Sequence, residues 1–444
     1  MRAVIDIYSS GFRRYFANTS WLMGHRVLSM VVALFVGVYV ARYLGPERFG
    51  LLSYAGSFVG LFTALATLGL DGIIVRELVK NPERRDELLG TAFWLKACGA
   101  IVMWIGIVAA IPFTNNDTQT NILIIIIAFG VIFQAFNVID FNYQAEVKSK
   151  FVVYAHLVQL VVSSITKLIF VWLSAPLVWF ACVFLLDAVV HSVGLTAMYL
   201  KNSGKVWHWK WRWETAKELL RESWPLILSG MVISIYMKID QVMIKEMLGA
   251  EQVGHYAAAV RLSEAWYFVP MAITSSVFPA IINAKKQSEE LYYQRLQKLY
   301  DLIVWLALAI ALPTTFLASW VIRVLYGDAF LPAAGVLSIH IWAGVFVGLG
   351  LAQGKFWLSN NMQKQQFLIT LSCALVNILL NIVLIRIYGV KGAAISTLIS
   401  YAIGSLLMPL YIKDARLMMR LTYNSLFILG IRTWLRKKLL FVLH

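Results

Sequence analysis

The 444-residue chain is poor in charge. Only 14% of its residues are Asp, Glu, Lys or Arg, whereas 60% are hydrophobic and the mean hydropathy is +0.72. A water-soluble fold cannot conceal that much apolar surface, which excludes a soluble globular enzyme. Stretches 27–40, 122–138 and 371–385 contain no charged residue at all. They do not alternate apolar with polar positions either, which excludes a membrane-spanning β-barrel. Cysteine is scarce: Cys98, Cys182 and Cys373 are scattered through apolar runs without metal-ligand spacing, and they read as small buried hydrophobes. No Gly-x-x-x-x-Gly-Lys-Ser/Thr loop, His-Glu-x-x-His or Cys-x-x-Cys occurs, and no loop is long enough for a soluble catalytic domain. No catalytic residue, metal or cofactor is therefore expected. The first 18 residues carry Arg2, Asp6, Arg13 and Arg14 and lack the compact apolar core of a cleavable signal, so the run from Trp21 reads as a retained first span.

What is present is an all-α integral membrane protein. A crossing of a hydrocarbon core about 30 Å thick needs about 20 apolar residues. Twelve such stretches are predicted, at about 20–43, 49–74, 88–112, 120–144, 151–173, 177–200, 223–247, 253–280, 298–325, 333–357, 366–386 and 391–413. Pro112, Asn115-Asn116-Asp117, Ser174-Ala175-Pro176, Tyr326-Gly327-Asp328 and Ser359-Asn360-Asn361 mark turns between them. The 39 Lys and Arg residues test this division. With a cytoplasmic N-terminus, 28 fall on the cytoplasmic side, 6 on the opposite side and 5 within spans. That bias predicts both termini inside and an even number of spans.

The turn Leu44-Gly45-Pro46-Glu47-Arg48-Phe49-Gly50 returns as Leu248-Gly249-Ala250-Glu251-Gln252-Val253-Gly254, with a constant offset of 204 positions. The repeated residues Gly45, Glu47, Gly50, Gly249, Glu251 and Gly254 predict one six-helix unit used twice, the copies entering from the same side. The division expected is a six-helix lobe at 1–200, a linker at 201–222, a second six-helix lobe at 223–413 and a basic amphipathic cytoplasmic tail at 414–444. Pro270 and Pro313 are expected to bend their spans. Gly56 and Gly60 make a small-xxx-small pair for close helix approach. The linker interleaves Trp207, Trp209, Trp211 and Trp213 with Lys210 and Arg212. Such a pattern can stack on single-stranded nucleic acid. Between two membrane halves, a strap at headgroup depth is the preferred reading, and nucleic acid is not an expected partner.

Charges inside apolar spans are costly and usually face protein or a wet cavity. The cations are Arg26, Lys96, Lys167, Lys238 and Arg261, and the deeper anions are Asp187, Asp240 and Glu264. Arg261 and Glu264 stand one helical turn apart and can pair. Arg26, Lys96 and Lys167 have no carboxylate within a turn. Lys96, near the start of its span, is expected to snorkel. Arg26 in span one and Lys238 in span seven suggest a cationic cavity, and the planar fork of Arg suits phosphate oxygens. His25 and His191 are also intramembrane; His25 reads as a packed imidazole or a proton relay.

The residues Asn18-Thr19-Ser20-Trp21 with Arg26, the turn at 44–50, Leu68-Gly69-Leu70-Asp71 and Lys238-Ile239-Asp240-Gln241 resemble the polysaccharide-transporter branch of the multidrug/oligosaccharidyl-lipid/polysaccharide exporter superfamily. More narrowly, the chain is similar to Wzx-type O-antigen flippases over its full length. The resemblance implies a two-lobed, V-shaped fold that alternates access. It also implies movement of an undecaprenyl-diphosphate-linked glycan from the inner to the outer leaflet of the bacterial inner membrane. Diphosphate contacts would map to Arg26 and Lys238, with Arg261, Lys167 and Lys96 as further cavity candidates. Coupling to a proton or sodium gradient would fall to Asp240, Glu264 or His25. Membrane lipids, a polysaccharide polymerase and chain-length machinery are the implied partners. The alternatives are a multidrug exporter of the same superfamily, which should carry acidic cavity residues, and a lipid-linked peptidoglycan-precursor flippase, which should carry two more spans. A membrane glycan polymerase or ligase is the alternative from another class and should carry a large outer loop.

Overall fold

The structure, a computed structural model, describes residues 2–427, with side chains described for residue 21 and residues 23–427. The tail cations Arg432, Arg436, Lys437 and Lys438 lie outside the described residues. The regular elements among the described residues are helices: α1 (Arg2–Thr67), α2 (Asp71–Lys80), α3 (Arg85–Ala110), α4 (Thr118–Gly130), α5 (Val138–Ala145), α6 (Lys150–Trp172), α7 (Leu177–Asn202) and α8 (Trp213–Leu248). The series continues as α9 (Ala250–Glu264), α10 (Phe268–Gln287), α11 (Glu289–Tyr326), α12 (Ala333–His340), α13 (Ala343–Ser359), α14 (Gln363–Tyr388), α15 (Val390–Ala402) and α16 (Arg416–Leu426). Eleven helical stretches among the described residues are long and apolar enough to cross a membrane. The first of them, Met23–Lys80, has 58 residues and covers the first predicted span from residue 23 onward and all of the second. The chain is thus a multi-pass membrane protein. Large apolar side chains such as Phe35, Ile105, Val193, Trp320 and Leu379 point outward, as a lipid-facing surface requires.

The repeated turn is tighter than its sequence suggests. Gly45 is the single break inside α1, at φ 71° and ψ 172°. Gly249, between α8 and α9, has nearly the same backbone, φ 91° and ψ 174°. Only glycine adopts that region at little cost. Glu47 and Glu251 are exposed residues of the helical turn that follows, where a carboxylate suits the helix dipole. Gly50 and Gly254 are buried helical positions rather than turn residues.

Several predicted spans are broken. The second stops at Thr67 instead of 74, because Leu68 and Gly69 both turn left-handed, at φ 53° and 61°. The fourth is α4, a 3₁₀ stretch Val131–Asn137 and α5. The eighth divides between α9 and α10 just before Pro270, which has no N–H to give the preceding turn. By contrast, α11 runs through Pro313 without a break. The tenth divides between α12 and α13, and the twelfth ends in the π turn Ile403–Leu407 and the 3₁₀ turn Met408–Tyr411. The seventh begins early, at Trp213, so the end of the Trp-rich linker is helical.

The chain packs as two compact units, Met1–Val242 and Met243–His444. In the first, α6 lies along α7, and α1 packs on α3 and α6. One core in this unit gathers Leu70, Ile74, Leu89, Ile139, Tyr143 and Tyr199. The second unit has its core on α11, where Tyr292, Leu296, Tyr300 and Ile303 meet Leu349 of α13 and Met418 of α16. α16 buries Met418, Met419, Leu421 and Ser425 and presents its basic residues outward.

Candidate functional site

The intramembrane cations fall into two kinds. Lys96 and Lys167 are held by carboxylates on other helices. Lys96 Nζ of α3 lies 3.1 Å from Asp71 Oδ1 of α2 and 4.9 Å from the ring centre of Phe141 on α5. Its side chain is 2% exposed against 59% for Asp71, so it is buried and paired and does not snorkel. The break at Leu68-Gly69 makes this possible, because it starts α2 at Asp71 beside α3. Lys167 Nζ of α6 donates to Ser163 Oγ at 2.8 Å and stands 3.8 Å from Asp187 of α7. Both carboxylates, Asp71 and Asp187, come from a neighbouring helix, which spacing along one helix does not reveal.

Arg26 and Lys238 are of the other kind. Among the described residues neither forms an ion pair. Arg26 is exposed on α1 and lies within coulombic range of His25, His156 and Asp140. Asp140 in turn lies within range of Asp71 and Lys96. Lys238 is half-buried on α8, with its stem laid across Gly60 of α1; a Cβ at Gly60 would come 3.3 Å from Lys238 Cγ. One turn away, Ser57 Oγ donates to Gln241 Oε1 at 2.9 Å. Ala64 against Gly230 and Gly69 against Leu226 continue the same antiparallel contact. A side chain at position 60 would crowd the lysine stem along this interface. Arg261 is exposed near the end of α9 in the second unit, and Glu264 closes that helix. Asp240 of α8 is 7% exposed.

Histidines supply a feature that charge counting missed. His25 of α1 stacks on His156 of α6, with ring centres 5.0 Å apart and planes at 19°. His156 stacks on His191 of α7 at 4.1 Å and 24°. On α6, His156, Gln159, Ser163 and Lys167 recur at helical spacing, a polar stripe legible in the sequence. Among the described residues no group of three or more His, Cys, Asp or Glu is arranged to hold a metal ion.

The linker is anchored, not merely laid on a surface. Trp209 packs on Phe93 at 5.5 Å and Tyr199 at 5.7 Å, and its indole N–H donates to Tyr199 Oη at 3.2 Å. Lys210 N donates to Asp86 O at 3.0 Å, and Arg212 N to Thr91 Oγ1 at 3.2 Å. Glu87 gathers Arg84 at 2.6 Å, Arg212 at 3.3 Å and the hydroxyl of Thr215. Trp207, Trp211 and Trp213 remain exposed.

Comparison with known proteins fits this arrangement. A family described as polysaccharide biosynthesis protein matches residues 15–285. The putative O-antigen transporter of Shigella flexneri is 26% identical over 412 residues, 88% of this chain and 96% of that protein. The probable flippase AglR of Haloferax volcanii is 23% identical over 398 residues, 86% of this chain and 80% of its own length. Among solved structures, the inward closed lipid II flippase MurJ superposes with a TM-score of 0.72 at 14% identity, covering 94% of this chain and 92% of that one. An inward-facing multidrug MATE transporter of the MOP superfamily gives 0.70 at 16% identity, covering 89% and 95%. The chain has the MOP fold.

Proposed function

The chain belongs to the polysaccharide biosynthesis protein family, and from that premise we propose that it is a flippase for lipid-linked oligosaccharides. It carries a polyprenyl-diphosphate-linked glycan, of the O-antigen or a related surface polysaccharide, from the inner to the outer leaflet of a bacterial inner membrane. The observation that carries this reading is the pair of intramembrane cations, Arg26 and Lys238, which have no ion-pair partner among the described residues. Such a cation is costly in an apolar span unless water or an anion reaches it. A diphosphate crossing the bilayer is the anion that the family's substrate chemistry supplies, and Arg can take two of its oxygens at once. The protein contributes binding and orientation, and no bond in the substrate is made or broken. The 28 to 6 distribution of loop cations supports cytoplasmic termini, so the cation-rich loops face the side on which the substrate is loaded.

The MATE likeness is one of fold. A carrier of organic cations should offer carboxylates where this chain offers Arg26. Reconstitution in vesicles separates the two readings. A fluorescent lipid-linked oligosaccharide is expected to move between leaflets, and organic cations are expected neither to be carried nor to compete. Transport of the cation without the glycan lipid would overturn the reading.

A further inference from the structure

Three of the chain's seven histidines meet in one stack, drawn from α1, α6 and α7. His25 Nδ1 is 3.1 Å from Ser29 Oγ, and His156 Nδ1 is 3.4 Å from Gln159 Oε1. His191 Nδ1 is buried and has no hydrogen-bond partner. Ring lone pairs lie in the ring plane, so face-to-face imidazoles cannot converge on a metal ion. Face-to-face packing suits neutral rings, and two adjacent positive rings would repel one another. Arg26, one residue from His25, adds a further positive charge. Among the residues whose side chains are described, α6 also carries Lys150 and Lys167, α7 carries Asp187 and Lys201, and α1 carries Arg42, Glu47 and Arg48. Asp187, one turn from His191, is tied to Lys167, and Asp140 of α5 lies within coulombic range of Arg26. α4 and the 3₁₀ stretch Val131–Asn137 bring none.

We propose that the His25–His156–His191 stack is a proton-binding site coupled to anion binding at Arg26. The inference rests on the reading of Arg26 as a diphosphate contact. With Arg26 bare, its charge opposes protonation of the stack. An anion held on Arg26 cancels that field and stabilises one imidazolium. The proton comes from water, forms one N–H bond on a ring nitrogen and returns to water when the anion leaves; nothing is oxidised or reduced. The linkage is reciprocal, so acid tightens anion binding by the same factor that the anion favours the proton. Because His25 and Arg26 are on α1 while the other two rings are on α6 and α7, the proton also changes how the first part of α1 sits against that pair.

The test uses the full chain in lipid nanodiscs with polyprenyl-diphospho-N-acetylglucosamine. Its diphosphate is a diester and lacks the monoester ionisation near pH 6 (about 6) that would confuse the result. Between about pH 8 and about pH 5.5, affinity for the wild-type protein is expected to rise roughly tenfold. In His156→Gln and in His191→Gln it is expected to stay within about twofold. A second measurement needs no ligand: histidine ring NMR resonances are titrated with pH. Removing the His156 ring is expected to move the midpoints of His25 and His191. Variants that keep the wild-type slope, or midpoints that do not move, overturn the proposal. A probe that binds at no pH contradicts the functional reading instead, and the ring titration then decides the proton site alone.

Discussion

Two lysines of the same type and in similar apolar surroundings play different parts, and the difference lies in what each side chain reaches. Lys96 is buried with its charge on Asp71, whereas Lys238 is half-buried over Gly60 without an ion-pair partner among the described residues. Removing one member of a buried pair is costly when it strands a charge, while removing the charge itself often is not. Asp71→Ala strands the buried ammonium and is expected to cost about 1–2 kcal/mol, less than a fully buried pair because Asp71 is largely exposed. Lys96→Met is expected to stay within about 1 kcal/mol of wild type. Thermal unfolding of the two variants in detergent checks the asymmetry, and equal losses would refute it. Arg26→Ala and Lys238→Ala should instead leave insertion and thermal stability near wild type while abolishing surface polysaccharide in a strain that depends on this chain. Cell-surface glycan staining, alongside the amount of protein in the membrane, reads both. The sequence identified which cations lie in apolar runs, since run length and charge decide that alone. It could not tell paired from unpaired, because Asp71 and Asp187 reach their lysines from other helices. It also missed His156, whose stacking partners lie 131 positions before it and 35 after it.

At the scale of elements, apolar run length predicted where helices cross but not where they break. The second, fourth, eighth, tenth and twelfth spans change helix type or direction part-way. Pro270 stands beside one such break, whereas Leu68 adopts a positive φ that its residue type does not announce. The linker shows the same limit. Its Trp-cation alternation reads as a strap, and three indoles are exposed, yet Trp209 is an anchor between Phe93 and Tyr199. That docking depends on Gly90, where a Cβ would come 2.6 Å from Lys210 N. Gly90→Val should therefore push the linker off α3. Trp209→Ala should cost about 2–3 kcal/mol through lost packing of a half-buried ring. Limited trypsin digestion of the purified protein checks both, with faster cleavage at Lys205, Lys210 and Arg212 expected and unchanged cleavage counting against the anchor.

For the whole molecule, the most legible feature was the repeat. Gly45 and Gly249 share a residue type, a 204-position offset and nearly one backbone conformation, because a sharp helix-to-helix reversal with φ above zero admits glycine and little else. The twelve predicted crossings were legible through agreement between apolar runs and the Lys/Arg bias. Among the described residues eleven stretches are long and apolar enough to cross, and the 58-residue one is long enough for two crossings. Substrate chemistry was legible only as a sign: cations in apolar spans call for an anion, and the proposed flippase function names a lipid-linked glycan as its carrier. The central claim is that Arg26 and Lys238 carry the diphosphate through the membrane. Leaflet transfer of a polyprenyl-diphosphate-linked oligosaccharide by purified protein in vesicles tests it most directly. Wild-type protein should move the lipid, and the Arg26→Ala/Lys238→Ala double variant, folded and equally incorporated, should fall at least roughly a hundredfold, the loss of two charge-assisted contacts. Transfer by the double variant at the wild-type rate would contradict the account.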